Sequence, residues 1–204
     1  MFCNNCRLIP AVLAISVLCA AAASPAFASI LTLNPIADAN SNGNDAGAYG
    51  LEINSGNIAI VDYDLSGLPA GATIDSATLF FNVYGYSPSG ISAQVIAFAK
   101  SSSTITGSDA SASGDGVYGP NAIQLGAQTV NLQVPALTPV LTDDYLGIRF
   151  QYSSGGSAQI SSVENAPYVP TSPPTMTIDY QVPEPASFGL MAVGGVALLA
   201  RRRR

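Results

Sequence analysis

Between two apolar ends, the chain runs through short stretches in which apolar and polar positions alternate every second residue. Val130–Val134 (VNLQV) turns Val130, Leu132 and Val134 to one side and Asn131 and Gln133 to the other. Tyr145–Tyr152 sets Leu146, Ile148 and Phe150 against Tyr145, Arg149 and Gln151, and Thr175–Gln181 puts Met176, Ile178 and Tyr180 together. Successive side chains of a strand point to opposite faces, so this period predicts strands with one buried face. Asn57–Leu65 (NIAIVDYDL), Ala77–Tyr84, Ala93–Ala99 and Ile30–Leu33 add runs rich in β-branched and aromatic residues. No window of the body carries the 3.6-residue period of a helix. Turn clusters recur at Gly67–Gly71, Ser87–Gly90, Ser113–Gly116 and Ser153–Gly156. The expectation is an all-β fold, a two-sheet antiparallel sandwich that is jelly-roll-like. Ser101–Asn121 reads as a long polar loop at one end of it.

The ends follow other rules. Arg7 precedes an apolar run, Leu8–Ala23, then Ser24-Pro25 and an A-x-A site at Ala26-Phe27-Ala28. That is the layout of a secretion signal removed by signal peptidase, with Ser29 opening the mature chain. Cys19 follows Leu18, where a lipid-modified cysteine needs a small residue before it, so lipidation is not expected. At the other end, Val182-Pro183-Glu184-Pro185 leads into the uncharged stretch Ala186–Ala200 and then Arg201, Arg202, Arg203 and Arg204. As a helix, that stretch spans roughly 22 Å against a hydrocarbon core of about 30 Å. A short transmembrane helix stopped by arginines on the cytoplasmic side is expected, with the body outside. The domain boundaries are therefore 1–28 for the signal, 29–181 for the sandwich and 182–204 for the tail.

Trimming changes the chemistry. Cys3, Cys6 and Cys19 all lie in the signal, so the mature chain has neither disulfides nor thiolate metal sites. Lys100 and Arg149 are the only cations left in residues 29–181, against twelve carboxylates, a formal charge of −10. Nucleic acid is excluded, because phosphate binding needs clustered Lys and Arg. There is no histidine, so neither a histidine-based triad nor imidazole metal ligation is available. A serine–lysine pair would have to use Lys100 with Ser101–Ser103; Lys100 reads instead as a solvated lysine at a strand end. A pair of carboxylates for glycoside hydrolysis is not visible from spacing, and the aspartates sit in turn contexts. No enzyme is expected. No cofactor is expected, since neither acidic cluster has the D-x-D-x-D-G spacing and both read as solvated loops; calcium is the one to consider, with Asp109 and Asp115 in a glycine-bearing loop and Asp143-Asp144 before a strand. For sugar stacking the chain has no tryptophan, and offers Tyr49, Tyr84, Tyr86 and Tyr118 near turns or loops.

Two resemblances add to this. Val182–Arg204 resembles the PEP-CTERM sorting signal: V-P-E-P, a short glycine-containing hydrophobic helix and a terminal arginine cluster. The resemblance implies recognition of Pro183, Glu184 and Pro185 by a membrane-embedded, cysteine-dependent exosortase. It implies transient residence in the inner membrane, with Arg201–Arg204 as the stop, and release to the cell surface or extracellular matrix. Tyr63–Leu79, with Leu68-Pro69-Ala70-Gly71-Ala72-Thr73-Ile74 and Ser76-Ala77-Thr78-Leu79, resembles a passage of DNRLRE-type extracellular β-sandwich domains. Ser161–Glu164 and Pro174–Tyr180 are similar to that family's close. The family's tryptophan-rich central passage and its naming hexapeptide are absent. Some such domains bind polysaccharide. The expected function is therefore a structural or adhesive surface protein, with a module binding exopolysaccharide as the alternative.

Overall fold

The computed structural model describes residues 27–41, 50–87, 90–114, 116–132, 144–163 and 172–182. Eleven strands follow in order: β1 Phe27–Leu33, β2 Ala37–Asn40, β3 Leu51–Ile53, β4 Ala59–Asp64, β5 Thr73–Tyr86, β6 Ile91–Lys100, β7 Gly116–Ile123, β8 Gly126–Leu132, β9 Tyr145–Gly155, β10 Ala158–Ile160 and β11 Thr175–Val182. A 3-10 helix, Gly107–Ser111, lies between β6 and β7. The first sheet has the order β2-β4-β9-β6-β7. The second is built on β5, with β8 on one side and β11 and β10 end to end on the other. This follows from the registers: residues 77–80 of β5 pair with both β11 and β8, and Val83 pairs with Gly126 of β8 and Ile160 of β10. Strand β1 lies beside β11, and β3 beside β10.

From β4 onward the chain alternates between sheets. Strand β4 is in the first, β5 in the second, β6 and β7 in the first, β8 in the second, β9 in the first, β10 and β11 in the second. Strand β9 returns to lie between β4 and β6, and β10 and β11 return to lie against β5. That double Greek-key winding is a jelly roll. Residues Ser29–Gln181 gather as one compact unit.

The inward positions are those that the alternation selects. Ala59, Val61 and Tyr63 of β4, Leu79, Phe81 and Val83 of β5, and Leu146, Ile148 and Phe150 of β9 join Met176 and Ile178 in one buried cluster. Phe81 and Phe150 meet edge to face across the two sheets, with ring centroids 4.9 Å apart and planes at 71°. Each large side chain so buried contributes on the order of 1.5–3 kcal/mol. The Tyr63 hydroxyl, inside this core, donates to the Pro174 carbonyl at 3.2 Å.

Three differences from the sequence pattern have local causes. Strand β5 starts four residues before Ala77, at Thr73, and is hidden by a bulge: the register with β11 slips between Asp179 and Tyr180. Ile74 and Ala77 are therefore both buried although three residues apart. Ser101–Asn121 is not one loop, since it holds the 3-10 helix and most of β7. Strand β7 (GVYGPNAI) is glycine-rich and carries Pro120, which a strand tolerates at the edge of a sheet, where β7 lies. The segment expected as a C-terminal transmembrane helix, and Val134, lie outside the described residues. Among the described residues no helix is long and apolar enough to cross a membrane.

Candidate functional site

A strand in the middle of a sheet has two faces, and in the first sheet both are buried. The inner faces of β4, β9 and β6 meet the core. Their outer faces present Ile60 and Asp62 from β4, Gly147 and Arg149 from β9, and Ile96, Phe98 and Lys100 from β6. The registers line these up: Asp62, Gly147 and Phe98 form one row, and Ile60, Arg149 and Ile96 the next. Lys100, opposite Tyr145, ends β6 one step further on. All of these side chains are buried or nearly so, with Asp62 0%, Phe98 1% and Lys100 8% exposed.

The cover is the segment after β6. Its chain folds back over the outer face, so that a Cβ added at Gly114 would stand 2.5 Å from the Ile96 Cγ2. Both cations of residues 29–181 fasten it. The Lys100 ammonium donates to Asp62 Oδ2, to Asp109 Oδ2 at 2.9 Å and to the Thr104 carbonyl at 3.3 Å. The Arg149 Nη1 donates to the carbonyls of Ala112 at 2.6 Å and Asp109 at 3.3 Å. Asp109 also accepts the Thr106 backbone N–H at 2.9 Å, which holds the start of the 3-10 helix. The Phe98 ring lies over Gly147, where an added Cβ would meet its edge carbons at 2.3–2.8 Å, and the Arg149 guanidinium stands 5.9 Å from its centroid.

Electrostatics at this centre are set by burial. Burial pushes the Asp62 carboxyl up to about 6, against the opposing pull of the Lys100 ammonium. Burial also lowers the Arg149 guanidinium below its ordinary value. Asp62 Oδ1 and Arg149 Nε have no hydrogen-bond partner among the described residues. A carboxyl raised by burial therefore touches the Lys100 ammonium, with a second carboxylate 2.9 Å from the same nitrogen. A pocket of about 280 Å³, lined by Ala99, Lys100, Ser101, Thr104, Thr106 and Asp109 among others, adjoins them.

The residues singled out by the sequence fall in several places. Asp109 belongs to this centre: its Oδ2 is held by Lys100 and Thr106, so a cation there would have to displace an ammonium. Asp144 is exposed at the foot of β9, its carbonyl accepting the Leu65 N–H at 2.9 Å. Asp115 and Asp143 lie outside the described residues, among which no cluster of three or more potential metal ligands occurs. Tyr118 is a core residue, and Tyr84 is half-buried. Tyr49 and the Tyr86 side chain are outside the described set. Ala28 is exposed near the start of β1, while Ala26, Pro183, Glu184, Pro185 and Arg201–Arg204 are not described. Lys100, read from the sequence as solvated, is buried, because the segment that follows it doubles back over its ammonium. Asp62 and Arg149 were not foreseen. Their signal was a charge at the centre of an otherwise apolar strand.

A second, polar hollow of about 170 Å³ lies where the turn after β3 approaches β9, lined by Ser41, Asn54, Asn57, Gln151 and Tyr152 among others. Asn54 Oδ1 shapes it by accepting the N–H groups of Gly56 and Asn57 at 2.7 and 2.9 Å.

The compact unit ends at Gln181, where the V-P-E-P stretch begins. Residues 181–204 match the model of the PEP-CTERM protein-sorting motif. No curated protein matches the chain. The PEP-CTERM motif marks a protein that is exported and delivered by an exosortase to the cell surface or extracellular space, and the exosortase is its processing partner. What the tail delivers is an all-β body of two antiparallel sheets.

Proposed function

We propose that the PEP-CTERM tail displays a non-catalytic jelly roll whose role at the cell surface or in the extracellular matrix is structural or adhesive. The observation that carries this reading is that both cations of the body are spent inside it, holding a segment over the first sheet. The buried charges at that centre bind to one another, as they do in a scaffold. In this reading signal peptidase cuts after Ala28 and the exosortase reads Pro183, Glu184 and Pro185, with Arg201–Arg204 on the cytoplasmic side. Glu184→Ala in the full chain tests the delivery step. The variant is expected to stay with the inner-membrane fraction while the parent reaches the surface fraction; equal surface delivery of both would overturn the assignment of the motif residues.

A second reading, a module that binds exopolysaccharide, is supported by the hollow beside Tyr152, where amides and hydroxyls surround one aromatic ring. At about 170 Å³ it is smaller than a typical small-molecule site of roughly 300–1,000 Å³ and suits a single sugar unit. Under this reading Tyr152→Ala lowers retention of the protein on purified matrix polysaccharide; under the first, retention is unchanged.

A further inference from the structure

Lys100 is the only lysine in the chain. Its side chain is not in water but against a fully buried aspartate two strands away, with a second aspartate on the same nitrogen. The partners reach each other because Gly147 stands on β9 between them, in the row of Asp62, and puts no side chain in the way. Around them, Phe98 and the fold-back segment exclude solvent. In this setting the ion pair is poorly supported. Asp62 Oδ1 accepts nothing among the described residues, so the ionised pair leaves one charged oxygen uncompensated in a low-dielectric site.

We propose that Lys100 Nζ and Asp62 Cγ condense to an intramolecular amide, a covalent tie between β4 and β6, with Asp109 moving the protons. The reaction is an acyl transfer to an amine, with no external reactant. The ammonium brings three protons. One passes to Asp62 within the hydrogen bond, leaving a neutral amine and a neutral carboxylic acid. The Nζ lone pair then attacks Asp62 Cγ. A second proton moves from the nitrogen to Asp109 Oδ2, which stands 2.9 Å away, and on to the departing hydroxyl. Water leaves into the adjoining pocket and Asp109 is again a carboxylate. The third proton stays on the amide. The product carries no charge, which removes the cost of the buried ions. Desolvation favours the neutral reactant pair in the same sense, since burial already raises the Asp62 carboxyl. Holding the two groups together replaces the entropic part of the barrier that prevents lysine and aspartate from condensing in solution.

The sequence supplies an unusually direct assay. Within residues 29–181 trypsin has only Lys100 and Arg149 to cut after, and an acylated lysine is not a trypsin site. The full chain is purified folded, incubated at neutral pH, denatured in urea, digested and weighed. The expected result is a fragment that runs uncut through Lys100 to Arg149 and is lighter than its sequence by about 18 Da, one water. Fragmentation should place the link at Asp62. Lys100→Arg, which keeps a cation but cannot be acylated by this route, should give the full mass while remaining folded by circular dichroism. Asp109→Asn should form the bond at least tenfold more slowly. Cleavage after Lys100 at full mass in the folded parent chain would overturn the proposal, as would a link found at Asp109. Bond formation at the parental rate in Asp109→Asn would overturn the relay given to that residue.

Discussion

Replacing Gly147 by alanine puts a methyl group where the structure has an aromatic ring. An ideal Cβ at this position stands 2.3, 2.5 and 2.8 Å from the Phe98 Cζ, Cε2 and Cε1 atoms. Carbon atoms pack at roughly 3.5–4.0 Å, so the ring has to move by about 1 Å or more. It has little room to do so, being 1% exposed, with Arg149 over its face. Overpacking of this kind costs typically about 1–3 kcal/mol. For a domain of this size each kcal/mol lowers the melting temperature by roughly 2–4 °C, so a fall of roughly 2–12 °C is expected in a thermal melt followed by circular dichroism. The cause is checked by a double-mutant cycle. In a Phe98→Ala background the ring is gone, so the same Gly147→Ala change should cost less than about 0.5 kcal/mol. If Gly147→Ala melts with the parent, or costs as much without Phe98 as with it, the account of how the outer face is packed is wrong.

Two other outcomes bear on the same centre. Arg149→Met keeps an apolar stem beside Phe98 but removes the donors to the Asp109 and Ala112 carbonyls; it should cost about 1.5–3 kcal/mol, and amide exchange at 107–112 should rise while the β5 amides keep their protection. Exchange unchanged at 107–112 would show that the arginine does not hold the segment. The Lys100–Asp62 amide should form at a level rate above pH about 6 and about tenfold more slowly per pH unit below it, read as the trypsin-resistant fraction over time. The sign follows from proton counting. Above that pH the pair holds the protons needed for neutral amine plus neutral acid; below it Asp62, which faces Lys100 with Asp109, Arg149 and Tyr145 around that nitrogen's strand, gains one more. A rate that rises on acidification would contradict the mechanism.

Much of the sandwich was legible because burial on one face leaves a period of two in the sequence. Strands β4, β6, β9 and β11 lie where the alternation or the β-rich runs put them, β8 starts four residues ahead of the alternating run Val130–Val134, and Leu146, Ile148 and Phe150 point inward. Strands β2, β3 and β10, of four, three and three residues, are too short to show a period. Strand β5 shows one only after its bulge. The candidate site was less legible for a different reason. A charge between apolar neighbours, such as Asp62 in Ile60-Val61-Asp62-Tyr63, can face solvent or a covering segment, and nothing local distinguishes the two. The cover comes from residues 101–114, whose polar composition reads as an exposed loop. Lys100 was therefore placed at the right strand end and given the wrong environment. The sorting motif at 181–204 was legible, since it is contiguous and depends on no tertiary contact.

The body's charge makes the placement of its two cations more than incidental. With twelve carboxylates to choose from, a solvated lysine or arginine would gain at most about 1 kcal/mol from any exposed pairing. Here both lie on one face, under one segment, and both touch the same residue, Asp109: Lys100 through the carboxylate and Arg149 through the carbonyl. The remaining surface charge is then all acidic, which opposes self-association and nucleic-acid binding at separations within a Debye length of about 8–10 Å. Such an arrangement concentrates the cost of burying the two cations at a single place. It also brings the chain's one lysine to a buried carboxyl in a body without cysteine. A covalent tie in residues 29–181 cannot be a disulfide, and amine–carboxyl condensation is the chemistry whose two reactants the fold already holds in contact.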